Sequence, residues 1–225
     1  MNRLYWVRHG ESVVNITKEM SHRLVDKPLT PKGVIQARQT ADYFIDKNID
    51  AIYCSPLKRA WETADIIAER LELPVIPLEN FREVNIGDLE RCPPDADGWA
   101  LHMQIVSAWM AGDKTARFPG GEDGFELRKR ILSGLRTALP QNGNAAILIV
   151  GHGGSFVSVV RDFCPDIELD WLKSAHMENC SITEIQFDHV ELTGKLVSWA
   201  SHDHLYGEAA ELIPGIPRAD EFGGR

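Results

Sequence analysis

Apolar residues along this chain recur in two alternating rhythms. Leu4–Val7, Ile49–Cys54, Val75–Leu78 and Ala145–Val150 are short, nearly continuous apolar runs, the pattern of buried strands. Between them the period lengthens. Val34, Ala37, Ala41, Phe44 and Ile45 fall on one helical face, opened by Thr30 as N-cap with Pro31 at the first helical position. Ser55-Pro56 repeats that cap signal and predicts a helix to about Leu71. The stretch Gly87–Gly120 is less regular, with turn signals at Pro93-Pro94, Asp97-Gly98 and Phe118–Gly121. Helices are predicted at Trp99–Ala111, from Asp123 to Leu139, and after Gly151–Gly154. Trp99, His102 and Trp109, at near-helical spacing, read as packing residues. Ser181–Phe187 and Leu196–Trp199 alternate as strands of a hairpin.

Strands alternating with helices predict an α/β sandwich around a mostly parallel sheet. Ligands of such sheets bind beyond the carboxyl ends of the strands. The first strand ends at Arg8-His9. The second ends at Cys54-Ser55, with Arg59 in the helix that follows. The run Ala145–Val150 ends at Gly151-His152. Three basic elements are thus expected at one sheet edge.

The chain has 225 residues and no Pro/Gly/Ser-rich linker, so one domain over residues 1–200 is expected. A polar, acidic tail, 201–225, is expected to drape over the surface or to be mobile. The net charge of −9 argues against nucleic-acid and membrane-surface partners, both anionic. It leaves room for a small anionic substrate held by local arginines, and for a homodimer. Cys54, Cys92, Cys164 and Cys180 lack metal or disulfide spacing and read as buried or partly buried free thiols of a reducing compartment. No secretory signal is visible, and Ala145–Val160 is too short and too interrupted to span a bilayer. A cytoplasmic location is expected.

Phosphoryl transfer through histidine needs a neutral imidazole in line with the leaving oxygen, donors for the equatorial oxygens, and a carboxylic acid for the departing alkoxide. His9 is the candidate nucleophile, with Gly10 allowing close backbone approach and an unusual φ. A carbonyl accepting from one ring nitrogen would leave the other free to attack. Arg8 and Arg59 are candidate phosphate clamps, because guanidinium meets phosphate as a bidentate fork. His152 is a candidate donor and Glu83 the candidate acid. Each has a plainer alternative: an exposed helix-face arginine, a loop histidine, a surface glutamate. Rival motifs fail. Gly151-His152-Gly153-Gly154 is not continued as G-x-G-x-x-G, since position 156 is Phe, and no G-x-S-x-G elbow, Walker loop or H-E-x-x-H pair occurs.

Taken together these residues resemble the histidine phosphatase (phosphoglycerate mutase-like) superfamily from about Leu4 to Trp199. Arg8-His9-Gly10-Glu11-Ser12 with Asn15 is similar to its signature. Pro28-Leu29-Thr30 through Gly33, Gln36 and Ala37 resembles the next segment, and Ser55-Pro56-Leu57-Lys58-Arg59-Ala60-Trp61-Glu62-Thr63-Ala64 the one after it, which carries the second arginine. Glu83 ahead of Gly87, Gly121-Glu122 with Arg130, Val150–Gly154 and Asn179–Ile182 complete the order. The resemblance implies a three-layer α/β/α sandwich and a phosphorylated His9. It implies a pocket of Arg8, Arg59, His152 and Asn15, with Glu83 as acid and then base, and neither metal nor organic cofactor.

The mutase branch carries an N-R-F-x-G-W segment where this chain has Val14–Arg23, and a paired arginine clamp after the glutamate. No Arg-Arg pair occurs within Gly87–Gly120. Hydrolysis is therefore favoured over isomerisation: a metal-independent phosphomonoesterase acting on a small phosphorylated metabolite. A cofactor-dependent phosphoglycerate mutase and a non-catalytic phospholigand-binding module are the alternatives. Ser21, His22, Arg23 and Gly153 join Asn15 as candidate substrate contacts. His176 and Met177 are placed to approach the site. Arg91, which stands where family members often have glycine, is a candidate for reading the substrate.

Overall fold

A computed structural model describes residues 1–141 and 143–215. In chain order the elements are β1 (Asn2–Arg8), α1 (Val13–Thr17), α2 (Pro31–Phe44), β2 (Ala51–Cys54), α3 (Lys58–Leu71), β3 (Val75–Pro77), α4 (Ala96–Met110), α5 (Gly124–Ala138), β4 (Ala146–Gly151), α6 (Gly153–Phe163), α7 (Leu169–Ser174), β5 (Ile182–Asp188) and β6 (Thr193–Ser201). The strands form one sheet in the order β3-β2-β4-β1-β5-β6. β3, β2, β4 and β1 run parallel, while β5 pairs antiparallel with β1 and β6 with β5.

Alternation sorts the side chains into two layers. Leu4, Trp6, Ile147 and Ile149 pack with Leu127, Ile131 and Leu135 of α5 and Phe156, Val160 and Phe163 of α6. Tyr5, Val7, Leu148 and Val150 pack on the other face with Ala41 and Phe44 of α2 and Ala60, Ala64 and Ile67 of α3. The result is an α/β/α sandwich. β4 is buried at all six positions, which explains its unbroken apolar run. Each large side chain buried this way contributes about 1.5–3 kcal/mol relative to exposure.

Local chemistry sets the helix ends. Thr30 Oγ1 accepts from Gly33 N at 3.0 Å, with Pro31 at the first helical position. Asp123 and Glu126 form a capping box at the start of α5. Ser55 departs from expectation. Leu57 is the N-cap of α3 and offers no side-chain cap. The N–H of Lys58 is satisfied instead by Asp26 Oδ1, at 2.8 Å. Asp97-Gly98, which reads as a turn, lies in the first turn of α4, where Asp95 accepts from Gly98 N. Ile45 is 44% exposed just beyond α2, while polar Gln36 and Thr40 occupy the buried face. Of the cysteines, Cys54, Cys164 and Cys180 are buried and Cys92 is exposed. Among the described residues no helix is long and apolar enough to cross a membrane.

After β6 the chain crosses the outside of α2. Leu205 and Ala209 pack with Leu29, Ala37 and Cys180. Gln36 Nε2 donates to Ala209 O at 3.0 Å and Lys32 Nζ to Glu211 O at 2.8 Å. The remainder of the tail, 216–225, lies outside the described residues.

The loop after β1 presses onto the start of α2. A Cβ at Gly33 would lie 1.9 Å from Glu11 O, and one at Gly10 would lie 2.7 Å from Gly33 O. Gly10 supplies this close approach and has no positive φ, contrary to the expected unusual φ. Gly33→Ala must push the His9 loop away from α2. The expected cost is about 3 kcal/mol, seen as a lower urea midpoint with an unchanged slope.

Candidate active site

Parallel pairing places Arg8 opposite Gly151, and His9 N donates to Gly151 O at 3.0 Å. The two strands end level, so the rings of His9 and His152 sit 5.2 Å apart, centroid to centroid. His9 Nδ1 meets Gly10 O at 2.8 Å. A carbonyl only accepts, so the ring proton is on Nδ1 and the lone pair on Nε2. Arg59 Nε, which only donates, meets Nε2 at 2.9 Å and requires the same tautomer. Burial, and then the charges of Arg59 and Arg8, hold the imidazole well below the ordinary histidine range. His9 is neutral at pH 7, with its nucleophilic nitrogen facing a guanidinium.

Arg59, in the first turn of α3, also donates from Nη1 to Ser21 Oγ at 2.6 Å and from Nη2 to Ser21 O at 3.3 Å and His152 Nδ1 at 3.2 Å. Burial lowers its guanidinium to about 10, with Glu83 opposing, so it stays charged at pH 7. Arg8 is lowered by burial and raised by the charges of Glu178 and Glu83. Its Nη1 donates to Met177 O. The Met177 backbone therefore reaches the site, whereas His176 O accepts from Trp199 Nε1. Because His152 Nδ1 accepts from Arg59, its Nε2 carries the proton and donates to Ser55 Oγ at 2.7 Å. Burial and the neighbouring cations hold His152 well below its ordinary value as well.

Glu83 stands at the opening of α6. Its carboxylate accepts from Ser155 N at 2.6 Å, Gly154 N at 3.2 Å and Val84 N at 2.9 Å. His152, the N-cap of α6, gives that helix no side-chain cap, and Glu83 takes the place of one. Arg130 fixes the backbone on either side. It pairs with Glu122 through Nε at 2.9 Å and Nη2 at 2.7 Å, and donates to the carbonyls of Asn80, Arg82 and Glu83.

The remaining candidates part ways. Gly153 lies beside Arg8, where a Cβ would be 3.5 Å from Arg8 Cδ. Asn15 Oδ1 accepts from Ser12 N and Asn179 Nδ2, which leaves its own Nδ2 to donate. Ser21 holds Arg59. His22 turns its Nδ1 to Glu83 O at 2.8 Å. Arg23 is not gathered in: its side chain is 67% exposed and lies 3.7 Å from Glu79. Arg91 is exposed at the end of a short 3-10 helix, Gly87–Arg91.

Several contributors lie in segments that resemble the family's, but the sequence assigns them no role. Ser55 orients His152 and is not a cap. Thr63 Oγ1 accepts from Gly10 N at 3.0 Å and donates to Arg59 O at 2.7 Å. Its place one turn after Arg59, on the same helix face, was the available signal. Asn179 Nδ2 donates to His9 O at 2.9 Å from the loop ahead of β5.

Residues 4–200 match the family model of the histidine phosphatase superfamily, branch 1. The chain belongs to that superfamily. A Hydrogenobacter thermophilus protein with the provisional name phosphoserine phosphatase 2 is 34% identical over 194 residues, 84% of this chain and 91% of that protein. A Yersinia enterocolitica protein with the provisional name phosphoglycerate mutase GpmB is 30% identical over 230 residues, 99% of each chain. Among solved structures, an Entamoeba histolytica phosphoserine phosphatase in complex with 3-phosphoglyceric acid matches with TM-score 0.70 and 26% identity, over 92% of this chain and all of that one.

Neutral burial of histidine has a pH signature. His9, His22 and His152 are lowered, and His102 and His204 are lowered to about 4, chiefly by burial. Unfolded imidazoles titrate near pH 6.5 and so take up protons first. Stability is therefore full only well above pH 6.5, begins to fall as the unfolded imidazoles titrate, and keeps falling toward pH 4. Thermal unfolding at pH 7.5, 6.5, 5.5 and 4.5 is expected to show a small fall in midpoint over the first step and a steeper fall thereafter. A flat midpoint down to pH 4.5 contradicts this account.

Proposed function

We propose that this phosphatase hydrolyses a small phosphorylated metabolite, without metal, through a phosphohistidine at His9. The observation that carries the reading is the His9 tautomer, with Nδ1–H spent on Gly10 O and the Nε2 lone pair beside Arg59. A phosphate arriving there displaces Nε2 as the acceptor of the Arg59 donor and meets Arg8 on the other side. Nε2 attacks phosphorus as the ester P–O bond breaks, and Glu83, which takes up the proton of the phosphate monoanion as the substrate binds, passes it to the leaving oxygen. Water then attacks the phosphohistidine, its proton passes to Glu83, and His9 returns with inorganic phosphate. His152 can donate to a phosphate oxygen from Nδ1 once its proton moves there. Ser55 permits this, because its hydroxyl can reverse and donate to Nε2.

The relatives named for phosphoserine and for phosphoglycerate chemistry support phosphoserine and phosphoglycerates as the first substrates to screen, followed by sugar phosphates and nucleotides. The mutase reading has the GpmB-like relative in its favour. Against it, the segment after Glu83 lacks the arginine pair that would hold a second anionic end. Buried reduced thiols support a cytoplasmic location, and assembly as a homodimer is kept as part of the proposal.

Two outcomes are expected. Alkaline quenching with labelled substrate, which preserves the acid-labile N–P bond, traps phosphate on His9, and His9→Ala lowers p-nitrophenyl phosphate hydrolysis by at least about 10³-fold; normal turnover by that variant overturns the proposal. With 3-phosphoglycerate and a trace of 2,3-bisphosphoglycerate, phosphorus NMR is expected to show phosphate released faster than 2-phosphoglycerate forms; the reverse order makes the protein a mutase.

A further inference from the structure

Glu90 takes no part in the chemistry above, yet its carboxylate is heavily used. It is 8% exposed, on the 3-10 helix Gly87–Arg91. Its Oε1 accepts the backbone N–H groups of His22, Arg23, Leu24 and Val25 at 2.6, 2.6, 2.8 and 3.1 Å. Four consecutive donors converge on one oxygen, so the loop is wound around the carboxylate. Burial pushes the Glu90 carboxyl up, but the four N–H groups outweigh it and hold the group below its ordinary value.

The loop so held touches both halves of the site. On one side Ser21 offers Oγ and O to Arg59. On the other, His22 Nδ1 donates to Glu83 O, and His22 O accepts from Arg82 Nη1 at 3.1 Å. The 3-10 helix is itself anchored. Asp88 N donates to Pro119 O at 2.8 Å, and a Cβ at Gly87 would lie 2.1 Å from that same oxygen.

We infer that Glu90 is a positioning residue for phosphoryl transfer: by gathering the N–H groups of residues 22–25 it sets Ser21 against Arg59, and so sets where the Arg59 guanidinium meets the phosphoryl group. The inference rests on the hydrolytic reading of the site. Side-chain truncation at Glu90 releases four backbone donors, that of His22 buried, and lets the loop move, whereas glutamine keeps an acceptor oxygen at the same place.

The test uses the full chain with p-nitrophenyl phosphate, and inorganic phosphate binding by calorimetry as a readout separate from turnover. A wild-type protein without phosphatase activity defeats the hydrolytic reading; the positioning inference is then judged on phosphate affinity alone. Glu90→Ala is expected to lower kcat/KM by about 10- to 100-fold and to weaken phosphate binding about tenfold, with Glu90→Gln within about threefold of wild type. Because the effect runs through Arg59, Glu90→Ala added to Arg59→Ala is expected to cost no further activity. A purely structural role predicts instead that the two losses multiply, and that result overturns the inference. So does a Glu90→Ala protein with wild-type phosphate affinity. If Glu90→Ala does not fold by circular dichroism, Ser21→Ala decides, since it removes the shorter, side-chain bond of the same link at its other end, leaving only the 3.3 Å bond to the Ser21 carbonyl. A loss of about tenfold that vanishes in the Arg59→Ala background supports the inference, and unchanged kinetics overturn it.

Discussion

When Arg8 pairs with Gly151 in parallel register, the residues that follow have little freedom left: both are histidines, and they emerge side by side. Slipping the register by one residue would turn the side chains of one strand to the opposite face and bury the wrong set. The core resists such a slip. Trp6 stacks on Phe156 of α6 at 4.6 Å, and its indole fills the space a Cβ at Gly151 would need, 2.6 Å from Trp6 Cζ2. Ser55 N donates to Val150 O at 2.9 Å, which brings the end of β2 to the same level and with it Ser55 and the first turn of α3. The position of His9 is thus a consequence of apolar packing three residues away, at Trp6.

The electrostatics follow from how the arginines are satisfied. Both are buried, and among the described residues neither is a member of an ion pair. Their N–H groups go to carbonyls, a hydroxyl and imidazole nitrogens, which satisfy the hydrogen bonds without neutralising the charge. A buried charge is costly when unpaired. Here the cost is met by neutral acceptors that an incoming dianion can replace. Burial, reinforced by the same field, keeps His9 and His152 neutral. This is how a chain of net charge −9 holds a locally cationic pocket.

Most of the framework was legible in the sequence because its signals are local. The apolar run at β4, the Thr30-Pro31 start of α2 and the Asp123 start of α5 lie within a residue or two of their predicted places. Ser55-Pro56 has the same local signature as Thr30-Pro31, but a histidine ninety-seven positions away claims the hydroxyl. The helices α1 and α7, of five and six residues, are too short for a period to register. Ser21, His22 and Arg23 are adjacent in sequence and diverge in space, toward Arg59, Glu83 and Glu79 respectively, because a loop has no repeating geometry to extrapolate. Glu90 was invisible for another reason. Its partners are backbone N–H groups, which every residue except proline carries and no sequence pattern displays.

This difference between local and distant signals also separates the reaction from the substrate. His9, Arg8 and His152 stand at strand ends fixed by a close-packed core, where a displacement of even a methylene is resisted. The walls around them lean on polar contacts: residues 22–25 on Glu90, and the segment 202–215 on Gln36, Lys32 and Lys18 beside the packed Leu205 and Ala209, reaching Arg8 at Gly215. Gln36 joins the two regions, accepting from Glu11 N at 2.8 Å while donating to the tail. Polar tethers of this kind each contribute about 1 kcal/mol and can be re-made in other arrangements. A superfamily can therefore keep one phosphoryl-transfer centre while its walls admit different esters. The centre is what superfamily membership predicts, and the walls are where this chain's own substrate is decided.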